Sequence, residues 1–300
     1  MAITEAQFIA LEGNIRKTQD AYYINEKDYN GKLFNFMNIK TRQFTDYTVG
    51  ALSRMTPWQG SVAYDSFSPG YEKQYRVDKF SLGLQIEKNL VEDGEYAAVA
   101  AKVNSVLEGV RKTLRYDAAV IYNQAFATTL TGPDGAALCS ATHYTIPGAT
   151  AQSNAGTNEL TYAGVEATRK AMMNFVDDRG DKMLVEGNLI IAGMNQEMNL
   201  FQLFGKDREA FTADQNPNFY QDFQYVIHPL IDGDKWFMVN TQLMKNGAGL
   251  NWVMRQDPRN LERDGALATG DFNTEILSWK AVGRWDIGWT NFYFIYGNNV

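Results

Sequence analysis

The 300-residue chain contains one cysteine, Cys139, and only two histidines, His143 and His228. A single thiol can form neither an intrachain disulfide nor a thiolate cluster around a metal. The sequence therefore gives no sign that the protein needs an oxidising compartment. The two histidines stand far apart, with no acidic ligand at a metal-binding spacing, so we expect both to be structural. We predict no metal site and no cofactor.

A surplus of basic residues and a long apolar run are also missing. The formal net charge is −7, whereas proteins that bind nucleic acid through its phosphates are normally basic. The strongest apolar block, Leu189–Met194, is far too short to cross a bilayer. The N-terminal stretch Met1–Gly13 lacks the basic and apolar segments of a signal peptide. We therefore expect a soluble protein, made in the cytoplasm, with no membrane contact.

Motifs of catalysis are scarce as well. The sequence has no Gly-x-Ser-x-Gly elbow, and the Gly-x-Gly within Lys245–Leu250 lacks the context of a phosphate-binding loop. Cys139 has His143 nearby but lies in an apolar stretch, where a lone cysteine is normally inert. The acid pair Asp177/Asp178 falls in a turn, where aspartate serves the backbone. We predict no catalytic residue and no enzyme activity.

The most prominent feature that is present is a long helix from Glu95 to Phe126. Apolar residues recur at spacings of three and four from Val99 to Ala125, with charged residues on the opposite side. The predicted length of this helix far exceeds the average of about 11 or 12 residues. A coiled coil is the alternative, but heptads are not sustained and Gly109 interrupts them. The pattern predicts a structural spine.

A projecting hairpin is predicted over residues 56–88, just before this helix. Phe67–Gly70 has the composition of a turn. From Phe80 to Ile86, apolar and polar residues alternate as in a strand with one buried face. The segment Tyr71–Arg76 is too polar for burial within a monomer, so we expect it at the tip. Residues 1–50, with a possible helix over Thr4–Lys17, form either an arm that packs on a neighbour or a loose terminus.

The remaining segments predict an α/β middle and a β-rich end. The predicted elements are the helices Leu160–Phe175, capped by Thr161, and Asn195–Phe204, ended by Gly205; the strands Met183–Val185 and Leu189–Ala192; a hairpin of Gln224–Ile231 and Lys235–Val239; and an aromatic β-rich section over Glu275–Gly297.

Two segments resemble the major capsid proteins of tailed phages of the Hong Kong 97 type. Phe80–Gly94 is similar to that family's returning hairpin strand and acidic entry into the spine helix, and Arg115–Val120 resembles the end of the helix. A narrower similarity to Mu-type head subunits lies in Pro57–Gly60, Gly135–His143, Leu184–Met194, Trp285–Trp289 and Tyr296–Asn298. The order of the elements agrees with the capsid family over essentially the full chain.

This resemblance implies an α+β Hong Kong 97-like capsid fold with a definite division of the chain. An N-terminal arm would take residues 1–50 and an extended loop hairpin 51–88. A peripheral domain with the spine helix would take 89–158 and 246–300, and an axial domain 159–245. The implied function is a structural subunit that self-assembles into pentamers and hexamers of an icosahedral virion capsid around double-stranded phage DNA.

The resemblance also implies partners and contacts. A separate scaffolding protein and a portal are expected, with packaged DNA as non-specific contents. The candidate inter-subunit contacts lie in the extended loop and are Tyr71, Lys73, Tyr75, Arg76 and Lys79. Some family members crosslink a lysine of this loop, but no motif here ties Lys73 or Lys79 to a partner, and we claim no crosslink. The alternatives are an encapsulin-like nanocompartment shell and a soluble enzyme with an unrecognised site.

Overall fold

The computed structural model describes residues 13, 15–18, 30–58, 60–62, 64–205, 220, 223–246, 249–263 and 276–300. Of the predicted helix over Thr4–Lys17, only residue 13 and residues 15–17 are described, and they are helical. The rest of that prediction lies outside the described residues. Ile15 is buried in the same cluster as the long helix.

The strands are, in chain order, β1 Asn35–Asn38, β2 Gln43–Val49, β3 Pro69–Arg76, β4 Asp78–Glu87, β5 Ala155–Gly156, β6 Leu189–Ala192, β7 Gln224–Ile227, β8 Trp236–Val239, β9 Leu250–Gln256, β10 Leu261–Arg263, β11 Ile276–Trp289 and β12 Ile295–Asn298. The helices are α1 Lys88–Glu92, α2 Tyr96–Asn123, α3 Tyr162–Met173, α4 Glu197–Phe204 and α5 Thr241–Lys245, with a 3₁₀ turn over Met194–Gln196.

Helix α2 confirms the predicted spine as one unbroken element of 28 residues. Its buried stripe includes Val99, Val103 and Leu107, as the spacing required. Gly109 does not interrupt it. A Cβ built at this glycine would come within 2.7 Å of Leu82 Cδ2 on β4, so a side chain here would require the end of Leu82 to shift.

One five-stranded sheet packs on the spine. Pairing links its strands in the order β1-β9-β11-β10. Strands β9 and β10 pair with successive parts of one edge of β11, and β4 pairs with the opposite edge. Strand β1 runs parallel to β9, and the other pairs are antiparallel. Leu84 and Ile86 of β4, together with Trp279 of β11, pack against α2 in one buried cluster.

The second sheet has the order β5-β12-β8-β6-β7. Strand β6 lies between β8 and β7, and all four of its residues are buried, which confirms the predicted central strand. The predicted hairpin over Gln224–Val239 is wrong, because β7 and β8 pair with opposite edges of β6. A buried strand needs a hydrogen-bonding partner for its backbone on each of its two edges, so the two segments separate and pair with β6 from opposite sides.

Met183–Val185 was predicted as a strand and is not one. Leu184 has a left-handed backbone conformation, with a φ of 51°, and its side chain is 68% exposed.

The two helices predicted in the α/β middle of the chain agree better with the structure. Thr161 caps α3 by accepting a hydrogen bond from Gly164 N at 3.2 Å, and α4 ends at Gly205.

The projecting hairpin exists but is shifted along the chain. Strand β2 pairs antiparallel with β3, from Gln43 opposite Arg76 to Val49 opposite Pro69. Phe67–Gly70 is therefore not the turn. Gly70 lies within β3, where a Cβ would come within 2.4 Å of Thr48 O, so it serves close strand approach. The tip is the segment 51–67, and Tyr71–Arg76 forms an arm of the hairpin.

Strand β4 departs from the predicted hairpin as well. It pairs with β11 of its own chain over ten positions, from Asp78 opposite Trp285 to Glu87 opposite Ile276. The alternation from Phe80 to Ile86 is a real strand pattern. It marks a strand of one of the two five-stranded sheets and not the return arm of a projection. These two sheets and the helices that pack on them are called the body from here on.

Candidate assembly surface

The segment 51–67, called the extended loop from here on, carries large apolar side chains in solvent. Every described residue from 52 to 67 is exposed. Met55 is 100% exposed and Tyr64 94%. The exposed apolar side chains of the loop are Leu52, Met55, Trp58, Val62, Tyr64 and Phe67. Several large apolar side chains exposed on one segment indicate a surface for binding another molecule.

None of these six residues was predicted as a contact residue. The spacings from one to the next are three, three, four, two and three, so neither a helical nor a strand period is sustained over the set. The sequence signal that could have found them is the number of large apolar residues in a segment that has no helical or strand pattern. A smaller apolar exposure lies on the outer half of β4, where Phe80 is 37% and Leu82 41% exposed. The Phe80 ring stacks on that of Trp285, with centroids 4.1 Å apart.

The five predicted contact residues divide between the surface and the interior. Arg76 and Lys79 are exposed, and Tyr71 is half-buried. Lys73 is half-buried, with its Nζ 5.9 Å from the ring centroid of Tyr75 and 6.0 Å from that of Trp289. Burial lowers the pKa of Lys73, and the carboxylate of Asp286 partly opposes this.

Tyr75 is fully buried, so the expectation that Tyr71–Arg76 is too polar for burial is wrong at this residue. Strand β3 alternates, and its inward side chains pack against the end of β11. Burial raises the pKa of Tyr75 to about 12. The tyrosine anchors the hairpin within its own subunit.

A line of hydrogen bonds makes this anchor specific. Thr290 Oγ1 donates to Asp46 Oδ2 at 2.6 Å, so the Tyr75 hydroxyl donates to Thr290 Oγ1 at 3.1 Å. Asn251 Nδ2 in turn donates to the Tyr75 hydroxyl at 3.3 Å. The line runs from β2 through β3 to β9. A buried polar network that is satisfied in this way fixes one geometry, so the base of the hairpin is held firmly to the body.

The single cysteine and the two histidines occupy structural positions. Cys139 is buried, and burial raises the pKa of its thiol, which keeps it protonated and unreactive. His143 Nδ1 lies 2.6 Å from Asp134 Oδ2, and its ring stacks on Phe292 at 4.4 Å. His228 is buried, and burial lowers its pKa to about 4.

Within the described ranges, His, Cys, Asp and Glu side chains form no group of three or more that could hold a metal ion. None of the helices in the described part of the chain combines the length and the apolar character that a membrane crossing needs.

The fold is shared with several solved structures. It is similar to the virus-like particle from Pyrococcus furiosus, with a TM-score of 0.55, 11% identity, and coverage of 96% of this chain and 98% of that chain. It is similar to a phage-related protein from Bordetella bronchiseptica RB50 (TM-score 0.55, 12% identity, 94% and 96% covered). It is also similar to the capsid of an empty GTA particle (TM-score 0.53, 11% identity, 93% and 96% covered). These likenesses confirm the α+β capsid fold.

The sequence model of the phage capsid protein family matches residues 70–298, and the chain belongs to that family. The matched region covers β3 from Gly70 onward, the spine helix, and every strand of the two five-stranded sheets except β1; the extended loop precedes it. No curated protein matches the sequence. The prediction of a structural major capsid protein of the virion is confirmed, and the family assignment favours a phage capsid over a nanocompartment shell. The narrower similarity to Mu-type head subunits stays a prediction.

Proposed function

We propose that this protein self-assembles into an icosahedral shell around double-stranded phage DNA, with its extended loop lying on a neighbouring subunit. The observation that carries the proposal is the set of six large apolar side chains exposed between β2 and β3. The hairpin below them is anchored to the body by the buried Tyr75. A firmly based element with an apolar end is suited to bind a second copy.

The energetics favour assembly of many copies over a tight pair. Full burial of one large apolar side chain contributes roughly 1.5–3 kcal/mol, and ordering of the loop offsets part of this gain. The net free energy gained from one loop contact is therefore modest. A closed lattice multiplies such contacts, because every subunit both gives and receives a loop.

The proposed domains are a peripheral domain of 89–158 and 246–300 and an axial domain of 159–245, with an arm over 1–50 and the loop region over 51–88. Strand pairing moves the start of the hairpin back to Gln43. The second sheet joins β6, β7 and β8 of the axial part to β5 and β12 of the peripheral part. We therefore propose that the two domains share a sheet and act as one body in the capsid.

The proposed partners are other copies of the chain, a separate scaffolding protein and a portal. The net charge of −7 suits a wall that encloses DNA without adhering to it. Exposed Arg76 and Lys79 remain candidates for inter-subunit contacts, and Tyr71 and Lys73 are candidates through the parts of their side chains that solvent reaches. Tyr75 acts instead within the subunit. We propose no catalytic role for any residue.

The test replaces three loop side chains together, as Met55→Ser, Trp58→Ser and Tyr64→Ser. We expect the subunit to fold with an unchanged melting temperature but to form no particles in sedimentation and negative-stain microscopy. All three side chains are exposed in the subunit, so their loss removes contacts only from the assembled state.

A matched control replaces three exposed apolar side chains of the body, as Met173→Ser, Leu184→Ser and Val300→Ser. This control is expected to give particles at the wild-type yield. Particles at the wild-type yield from the loop variant would contradict the proposal.

A further inference from the structure

We propose that the turn over Asp177–Asp181 is a clasp that sets the direction in which the extended loop leaves the subunit, with Arg179 as its main positioning residue. This inference rests on the proposed function of the loop. The clasp joins parts of the chain that are more than one hundred residues apart in sequence. It acts at the root of the loop, where a small change of angle moves the tip farthest.

The outgoing arm of the loop is fixed at Gly50 and Ala51. Gly50 N donates to Ser68 O at 2.9 Å and closes the neck of the loop. Asp178 Oδ1 accepts a hydrogen bond from Ala51 N at 2.7 Å. A Cβ on Gly50 would come within 2.8 Å of Asp178 Oδ2, so the carboxylate needs a glycine beneath it. Asp178 therefore lies directly against the neck.

Arg179 connects both arms of the loop. Its Nε donates to Ala51 O on the outgoing arm at 2.7 Å. Its Nη2 lies 2.9 Å from Asp65 Oδ2 and 3.5 Å from Ser66 O on the returning arm. The planar guanidinium presents several donors in a fixed arrangement, which suits this bridging role. One side chain from the body thus holds the two arms at a set position.

Asp65 completes the bridge within the loop. Its carboxylate accepts hydrogen bonds from Ser53 N at 2.8 Å and Ser53 Oγ at 2.7 Å, and from Ser66 N at 2.9 Å. These hydrogen bonds, with the charge of Arg179, hold the pKa of Asp65 well below its usual range. The carboxylate is therefore ionised and paired with Arg179 at neutral pH.

A second ion pair lies farther along the outgoing arm. Arg54 binds Asp181 through two nitrogens, with its Nε 2.8 Å from Asp181 Oδ2. The turn itself is organised by Asp177, whose Oδ1 accepts from Arg179 N at 2.9 Å and Asp181 N at 2.8 Å. The charged groups of the turn are thus presented in a fixed arrangement before the loop meets them.

The experiment measures the direction of the loop and the assembly of the same proteins. Spin labels on Ser61→Cys in the loop and Ala97→Cys on α2 report the loop-to-body distance by electron paramagnetic resonance. The native Cys139 is buried and does not take up label. Arg259→Ala is the matched control, because Arg259 pairs with Asp257 within a turn of the body.

We expect Arg179→Ala to broaden the distance distribution and to lower the yield of particles roughly tenfold. An exposed ion pair contributes a factor of up to about five in an equilibrium constant, and this variant also loses two hydrogen bonds. Arg259→Ala is expected to change neither measurement. Wild-type distances and yield from Arg179→Ala would overturn the inference.

A charge exchange covers the case in which Arg179→Ala fails to fold. Arg54→Asp alone and Asp181→Arg alone are each expected to broaden the distribution, and the double variant is expected to restore it. A broad distribution in the double variant would count against the clasp. If the wild-type protein forms no particles while these distances behave as expected, the proposed function fails and the clasp stands.

Discussion

The second sheet and the extended loop use apolar residues in opposite ways, because the sheet buries them and the loop exposes them. All four residues of β6 and all four of β8 are buried. In the loop, Met55, Trp58 and Tyr64 stand in solvent. Since both regions belong to one chain, the contrast separates two tasks. The body buries its apolar residues within one subunit, whereas the loop leaves its apolar residues exposed for the neighbouring copy that we propose.

The largest effect that tests this contrast is expected in the body. Phe237→Ala should lower the free energy of unfolding of the subunit by about 3–5 kcal/mol, because a buried aromatic ring leaves a cavity. Phe237 is fully buried and contacts Tyr122, with ring centroids 5.3 Å apart. Urea unfolding of the unassembled subunit measures this. A loss below about 1 kcal/mol would mean that the body is not a packed core.

An intermediate effect is expected at acid pH through His228. Its folded-state pKa of about 4 lies below the unfolded value near 6.5, so the unfolded chain binds the extra proton first. Stability from this site is present above pH 6.5 and is lost as the pH falls toward 4. The loss approaches about 3 kcal/mol.

Unfolding of His228→Gln and the wild type between pH 4 and 7 tests this effect. We expect a shallower pH dependence in the variant. If the free energy of unfolding of the two proteins depends on pH with the same slope, the loss of stability at acid pH does not come from His228.

A small effect is expected where the spine meets β4. Gly109→Ala should raise the helix propensity of α2 by up to about 1 kcal/mol. The new Cβ would meet Leu82 Cδ2, the end of a side chain that is 41% exposed and free to turn outward. We expect a net gain of roughly 0.5 kcal/mol in unfolding free energy, measured by urea unfolding. A loss greater than about 1 kcal/mol would show that Leu82 is held in place.

The body could be predicted from sequence in most of its elements. The spine helix, the central strand Leu189–Ala192, the Thr161 cap and the aromatic end all followed from periodicity and local chemistry. These signals are local, because they report which face of one element is buried. Strand pairing is not local, and it is where prediction failed. Nothing in Gln224–Val239 alone shows that β6 will lie between its two strands.

The loop was predicted to exist but was misplaced. Pro69 and Gly70 have the composition of a turn, yet Gly70 serves close packing against Thr48. Tyr75 looked polar enough for solvent, yet its hydroxyl finds Thr290 and Asn251 inside. The anchor and the clasp depend on partners more than one hundred residues away, and no local pattern encodes such a contact.

The most direct test of the account is hydroxyl-radical footprinting of Met55 and Trp58 in the free subunit and in assembled particles. Both side chains are exposed in the subunit, so both are expected to react readily there. In particles we predict strong protection of both side chains, because a neighbouring copy would cover the loop. Equal reactivity in the two states would contradict the claim that the extended loop joins the subunits.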